Sequence, residues 1–321
     1  MEKDEDKQKK VKAVFKEAFN HTLKELEIPN LLDSIRESDP EKLIRAHDSI
    51  HEFIFLAPLS FPSNGSVSWH RKSAFLTYQF DVFYSAHRSL IEALAGYYNA
   101  GYTLLRSTLE LILKGALWEC LAHKKFRENA EVLSKMKRKV YEKERSLIDW
   151  FDDLLRRYPE IENDFEEMSA AVFDKVSPIF EDKELQKLIP SLKTIIVQLE
   201  KWGILNPIPE PVKTIYETVY KELCKDVHAI PDKTDIGRRL IKDEELFETV
   251  IIPEELNRFL GLLHKVMNIG IVIELNILSD WITRDEKVRI KLRKRLYALE
   301  RLELNYSVIC LRNYKQYYLL I

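Results

Sequence analysis

The chain has 321 residues, 45% of them hydrophobic and 32% charged, which is enough apolar material for a sizeable core and excludes a disordered polymer. Its 50 basic and 52 acidic residues nearly balance, so no molecule-wide field draws it to nucleic acid or to an anionic membrane, and such binding has to be local. The three scattered cysteines, Cys120, Cys224 and Cys310, exclude a disulfide framework and a zinc ribbon and fit a reducing cytosol.

Only 8 glycines occur, where average usage would give about 22, so turns are few and elements long. Abundant Lys and Glu with few Met, Cys and Gly is the balance found in thermophiles. The leader MEKDEDKQKK has no apolar core of a secretion signal. The most apolar stretch, 259 to 282, is interrupted by His264, Lys265, Asn268, Glu274 and Asn276 and reads as a core helix, so no membrane is expected as a partner.

In chain order, Val11, Phe15, Phe19, Leu23 and Leu26 recur at helical spacing and predict a first amphipathic helix. Asp39-Pro40 starts a second over 41 to 55, and the Pro-, Ser- and Gly-rich stretch 57 to 71 predicts a loop. Two long apolar helices follow, 72 to 95 and 98 to 123, with a break at Gly96. From 124 to 158 the chain turns charge-dense and is expected to stay helical as a solvated arm. Helices over 160 to 176 and 184 to 202 precede the turn NPIPEP at 206 to 211. A helix over 211 to 228, a long one from Pro253 to Trp281 and a basic amphipathic one from Asp285 to Glu303 complete the set. The fold class expected is an all-α multi-helix bundle, divided into N-terminal helices and a loop at 1 to 71, a helical core at 72 to 281 with a charged insertion at about 124 to 203, and a basic C-terminal helix and tail at 282 to 321.

The candidate chemistry sits on three helices. On the apolar 98 to 123 helix, Arg106, Glu110 and Lys114 follow one another at four-residue spacing and share one face. The helix before it carries a similar stripe, Asp81, Ser85, Arg88 and Glu92. Charges on buried helices need partners, so the two stripes are expected to meet in one polar seam. In the C-terminal helix Val288, Leu292, Leu296 and Leu299 form the apolar stripe. Arg293, Lys294 and Arg295 stand among the cations around it, a face that can hold phosphates or simply be solvated. His47 and His51, one turn apart with Asp48 between them, have the spacing of two metal ligands. No third ligand is apparent, so no metal and no other cofactor is expected. P-loop, GxGxxG and GxSxG motifs are absent.

The string LIEALAGYYNAGYTLLRSTLELILKGAL at 90 to 117, followed by YKELCKDVHAIPD at 220 to 232, resembles the HEPN superfamily of all-α domains. The shared pattern is a helix ending near Gly, a second bearing Arg-x-x-x-Glu, and a later one ending in Leu-Cys-x-x-Val-His. The resemblance implies a HEPN-like core, homodimerisation, and a site at Arg106, Glu110 and His228 with Lys225 beside it. Active members are metal-independent ribonucleases with an Arg four to six residues before the His. Here Lys221 stands seven and Lys225 three residues before His228. The resemblance therefore implies a binding or regulatory module for RNA or a protein partner, in stress or defence. The alternatives are a ribonuclease with His228 as general base on the ribose 2'-hydroxyl and a structural scaffold without a chemical site.

Overall fold

Long proline-free segments with apolar residues three and four apart bury best as helices packed on helices, and most of the described residues do this. The computed structural model describes residues 12–14, 16, 30–59, 73–140, 143–157, 183–227, 251–279, 282 and 286–316. Among them are fourteen helices and one two-stranded sheet, so the fold is all-α. The predicted helices over 11 to 26 and 160 to 176 lie outside the described residues, apart from 12–14 and 16, which are helical.

Helix α1 (Asn30–Glu37) leads into α2 (Pro40–Leu59) through Asp39, whose carboxylate accepts from the amides of Glu41 and Lys42 and caps the new helix. Helix α3 (Ala74–Leu94) is capped in the same way by Ser73, which accepts from the amide of Leu76. Gly96, at φ 81°, turns the chain into α4 (Tyr98–Ala122). The two helices run antiparallel and very close. A Cβ on Gly101 would lie 3.1 Å from the Ser89 carbonyl oxygen, and one on Gly115 would lie 3.0 Å from the Tyr78 Cβ.

The most apolar helix, α12 (Pro253–Ile277), packs against α2 and α4 and has its apolar stretch buried, as expected of a core helix. Proline at its first turn needs no amide partner, and Tyr98 pins its start by accepting from the Ile252 amide and donating to the Ile252 carbonyl. Several buried polar groups at the centre are partnered. Gln79 donates to the Phe53 carbonyl and to Glu274, and the buried Glu119 carboxylate accepts from Ser73, the Phe75 amide and His123. Burial alone would raise the Glu119 pKa, but these donors outweigh it and hold the carboxyl below its ordinary value.

The 124 to 158 segment departs from the expected solvated helical arm. After the short α5 (Lys124–Arg127) and α6 (Glu131–Lys135), strands β1 (Arg138–Val140) and β2 (Lys143–Arg145) pair antiparallel, with Lys139 opposite Glu144. Helix α7 (Leu147–Arg157) then buries Leu147, Trp150, Phe151 and Leu154 in the core. The charge density is that of one outer face; the apolar positions between those charges pack inward.

Pro190 divides the predicted 184 to 202 helix into α8 (Lys183–Leu188) and α9 (Leu192–Lys201). After the NPIPEP turn, α10 (Val212–Tyr220) is wound as a wide π-helix, visible where the Lys221 amide reaches the Tyr216 carbonyl five residues back. It continues as α11 (Lys221–Val227). Helices α13 (Glu286–Arg301) and α14 (Asn305–Gln316) close the chain, and α14, which packs on α12, falls in what the sequence suggested was only a tail. Between them Glu303 takes a left-handed backbone, φ 56°, and its carboxylate binds Arg45 of α2.

Candidate functional site

The α4 stripe forms the chain of ion pairs that its spacing predicts. Arg106 Nε lies 3.3 Å from Glu110 Oε1, and Lys114 Nζ lies 3.1 Å from Glu110 Oε2, all three side chains being partly exposed. The contact to Arg106 lacks hydrogen-bond geometry, so that buried N–H makes no hydrogen bond. The π-helix supplies a further partner, for Tyr220 donates to Glu110 Oε1 at 3.1 Å. Burial first and the Glu110 carboxylate second push the Tyr220 phenol far above its ordinary value, so it stays a neutral donor.

A second network lies where α11 meets α12. Arg258 donates to Glu222 and Glu255 at 2.6 Å each, Tyr102 donates to Glu255 at 2.6 Å, and the guanidinium stands over the Tyr102 ring at 5.1 Å. Lys225 pairs with Glu222. Desolvation opposes ionisation of Glu222, but Lys225 and Arg258 prevail and lower its pKa. Thus Glu110 and Tyr220 join α4 to the helix pair leading towards His228; His228 itself lies outside the described residues.

The seam expected between the α3 and α4 stripes is narrower than charge alone suggested. Arg88 pairs with Glu92 along α3, and the α4 charges pair along α4. Between the two stripes Thr108 donates to Ser85 and Ser85 to the Leu104 carbonyl. Four-residue spacing pairs Arg88 with Glu92 and Glu110 with Arg106 and Lys114 within their own helices, and small polar groups make the contacts where the backbones approach.

Helix α13 buries Val288, Leu292, Leu296 and Leu299, the stripe read from the sequence, and divides its cations by role. Arg295 donates to the buried Glu52 from two nitrogens and lies over Phe55. Arg301 Nη2 lies 3.6 Å from Asp48 Oδ2. Lys291, Arg293 and Lys294 point outwards and form no ion pair among the described residues. One turn on, Tyr297 is 74% exposed, and one turn back Ile290 is 48% exposed.

No family model, curated protein or solved structure matches this chain. The chemistry of the site rests on its own side chains. Sequence reasoning singled out the α4 stripe and the α13 cations. It missed the bond of Tyr220 to Glu110 and the pairing of Glu222 with Arg258, which join residues distant in sequence, and Tyr297, which the 3.6-residue period already places beside Arg293 and Lys294. It also missed His87, which α3 brings against His47 and His51.

Proposed function

We propose that the chain is a helical RNA-binding module whose contact face is the outer side of α13. One observation carries this reading: an exposed tyrosine one turn from two outward cations that make no ion pair among the described residues, on a helix anchored by Arg295 and Arg301. Cations without protein partners can exchange counterions for phosphates, and an exposed ring offers a face on which an unpaired base stacks. The nearly balanced net charge fits a local patch. The resemblance to HEPN domains supports the same class of ligand and a role in stress or defence.

Fluorescence anisotropy with a labelled single-stranded RNA, repeated across a salt series, tests this. The wild-type chain is expected to lose affinity steeply as salt rises. The double variant Arg293→Gln, Lys294→Gln should flatten the slope by roughly two phosphate contacts, and Tyr297→Ala should weaken binding by about 1–3 kcal/mol. An unchanged slope in the double variant means that this face is only solvated.

A second reading, a metal-independent ribonuclease, draws on the Glu110–Tyr220 bond that holds α4 against the helix pair ending one residue before His228. In that case His228 would serve as general base, and Arg106 or Lys225 would neutralise the phosphate. Cleavage that survives a chelator and disappears in His228→Ala would favour it; binding without cleavage leaves the module.

A further inference from the structure

We infer that His47, His51 and His87 form a binding site for a divalent transition metal of the zinc class. The three rings come from two helices: His47 and His51 lie one turn apart on α2, and His87 reaches them from α3. Their ligand nitrogens lie within 4.8 Å of one another. His51 Nε2 stands 3.2 Å from His47 Nε2 and 3.4 Å from His87 Nε2. Three nitrogens at the corners of a tetrahedron around zinc, with bonds of about 2.0–2.1 Å, would be separated by roughly 3.3 Å. Two of the spacings therefore already match the edges of a zinc coordination shell.

The outer partners select the right tautomers. His47 Nδ1 is 3.0 Å from Asp48 Oδ1, and His87 Nδ1 is 3.0 Å from the Phe83 carbonyl oxygen. Both of those oxygens only accept, so each Nδ1 carries the hydrogen, and each neutral ring presents its Nε2 lone pair to the cluster. His51 completes the set when its proton sits on Nδ1. Without a cation, a single hydrogen on His51 Nε2 would have to serve two lone pairs. A metal ion satisfies all three. An imidazole N–H held by a carboxylate or carbonyl is the usual support of a ligating histidine, and Asp48 is in turn engaged by Arg301.

Aromatic rings hold the ligands in place. Phe55 stacks against His51 with centroids 6.1 Å apart, and Phe83 meets His51 and His87 edge-on. The opposite side is open, since the His47 side chain is 48% exposed. Three imidazoles plus one solvent-facing position is the ligand set of a zinc ion that retains a water or takes up an anionic oxygen.

The test uses the tag-free chain, stripped with a chelator and dialysed, titrated with zinc chloride by calorimetry and with Co2+ by visible absorption. One equivalent of zinc per chain and the intense d–d bands of four-coordinate cobalt are expected. His51→Gln and His87→Gln should each weaken zinc binding by more than about 100-fold, and Asp48→Asn by about 10- to 100-fold, with unchanged far-UV dichroism. The double variant Arg293→Gln, Lys294→Gln should titrate like wild type, which separates this site from the proposed RNA face. A wild-type chain that takes up no zinc, or zinc uptake undiminished in both histidine variants, overturns the inference.

Discussion

Two neighbouring cations on α13 illustrate how position alone sets a residue's role. Arg295 pairs with Glu52, whose carboxyl stays above its ordinary value because burial pushes it up by more than Arg295 draws it back. Arg295→Gln leaves that buried carboxylate short of its donors and is expected to cost about 2 kcal/mol, discounted because the arginine is itself partly exposed. Arg293→Gln, which breaks no ion pair among the described residues, should stay within about 0.5 kcal/mol of wild type. Urea midpoints for the two variants check the contrast, and equal losses would show that Glu52 does not depend on Arg295. His264 gives a pH-dependent case. Burial pushes its pKa below the ordinary 6.5 while Nε2 donates to the Leu302 carbonyl at 2.8 Å. The unfolded chain therefore takes up its proton at a higher pH than the folded one. The contribution of His264 is complete above about 6.5 and shrinks as pH falls from there towards the lower folded value. Denaturation midpoints should decline as pH falls through about 6.5, and His264→Gln should make that decline shallower. A variant with the wild-type slope would assign the loss to other groups.

At the scale of elements, the α3–α4 pair rests on how closely its backbones approach. Replacing glycine with alanine inside a helix ordinarily gains about 1 kcal/mol in propensity. At Gly101 the new methyl would lie 3.1 Å from the Ser89 carbonyl oxygen and 3.2 Å from the Phe259 ring. A backbone oxygen cannot swing aside as a side-chain end can, so overpacking, typically about 1–3 kcal/mol, is expected to win. Gly101→Ala should destabilise on balance by about 1 kcal/mol in chemical denaturation. A stabilised variant would mean that α3 and α4 separate without penalty. The π-wound α10 shows the opposite accommodation. Its wider turn buries Ile215 and Val219 while Tyr216 and Tyr220 stack at 5.4 Å, and Tyr220 thereby reaches Glu110.

For the whole molecule, helices from α2 to α14 contribute to one continuous apolar cluster, and the only sheet among the described residues has two short strands. Far-UV dichroism is expected to be dominated by helix, with strand content well under the fifth or so of an average globular protein. A higher measured strand fraction would contradict the fold. The α13 helix joins this cluster through its apolar stripe and is held on α2 by two ion pairs, Arg295–Glu52 and Arg301–Asp48, with Arg45–Glu303 added from the turn that follows it. Those contacts decide which cations remain outward.

Local rules account for what was legible in the sequence. The α3 and α4 boundaries follow from Gly96 and the long proline-free run, the buried stripe of α13 from its 3.6-residue period, and the Arg106–Glu110–Lys114 pairs from four-residue spacing. Each depends on residues within a few turns of one another. Tertiary structure decided the rest, because the partner lies far along the chain. The hairpin and buried α7 emerge from a segment whose charge masks its apolar face, Tyr220 meets Glu110 across 110 residues, and Arg295 meets Glu52 across 243. The histidines show the boundary most clearly. One helix turn places His47 beside His51, whereas His87 joins them only because α3 packs on α2. Periodicity sets which face a side chain occupies, and only packing sets what that face meets.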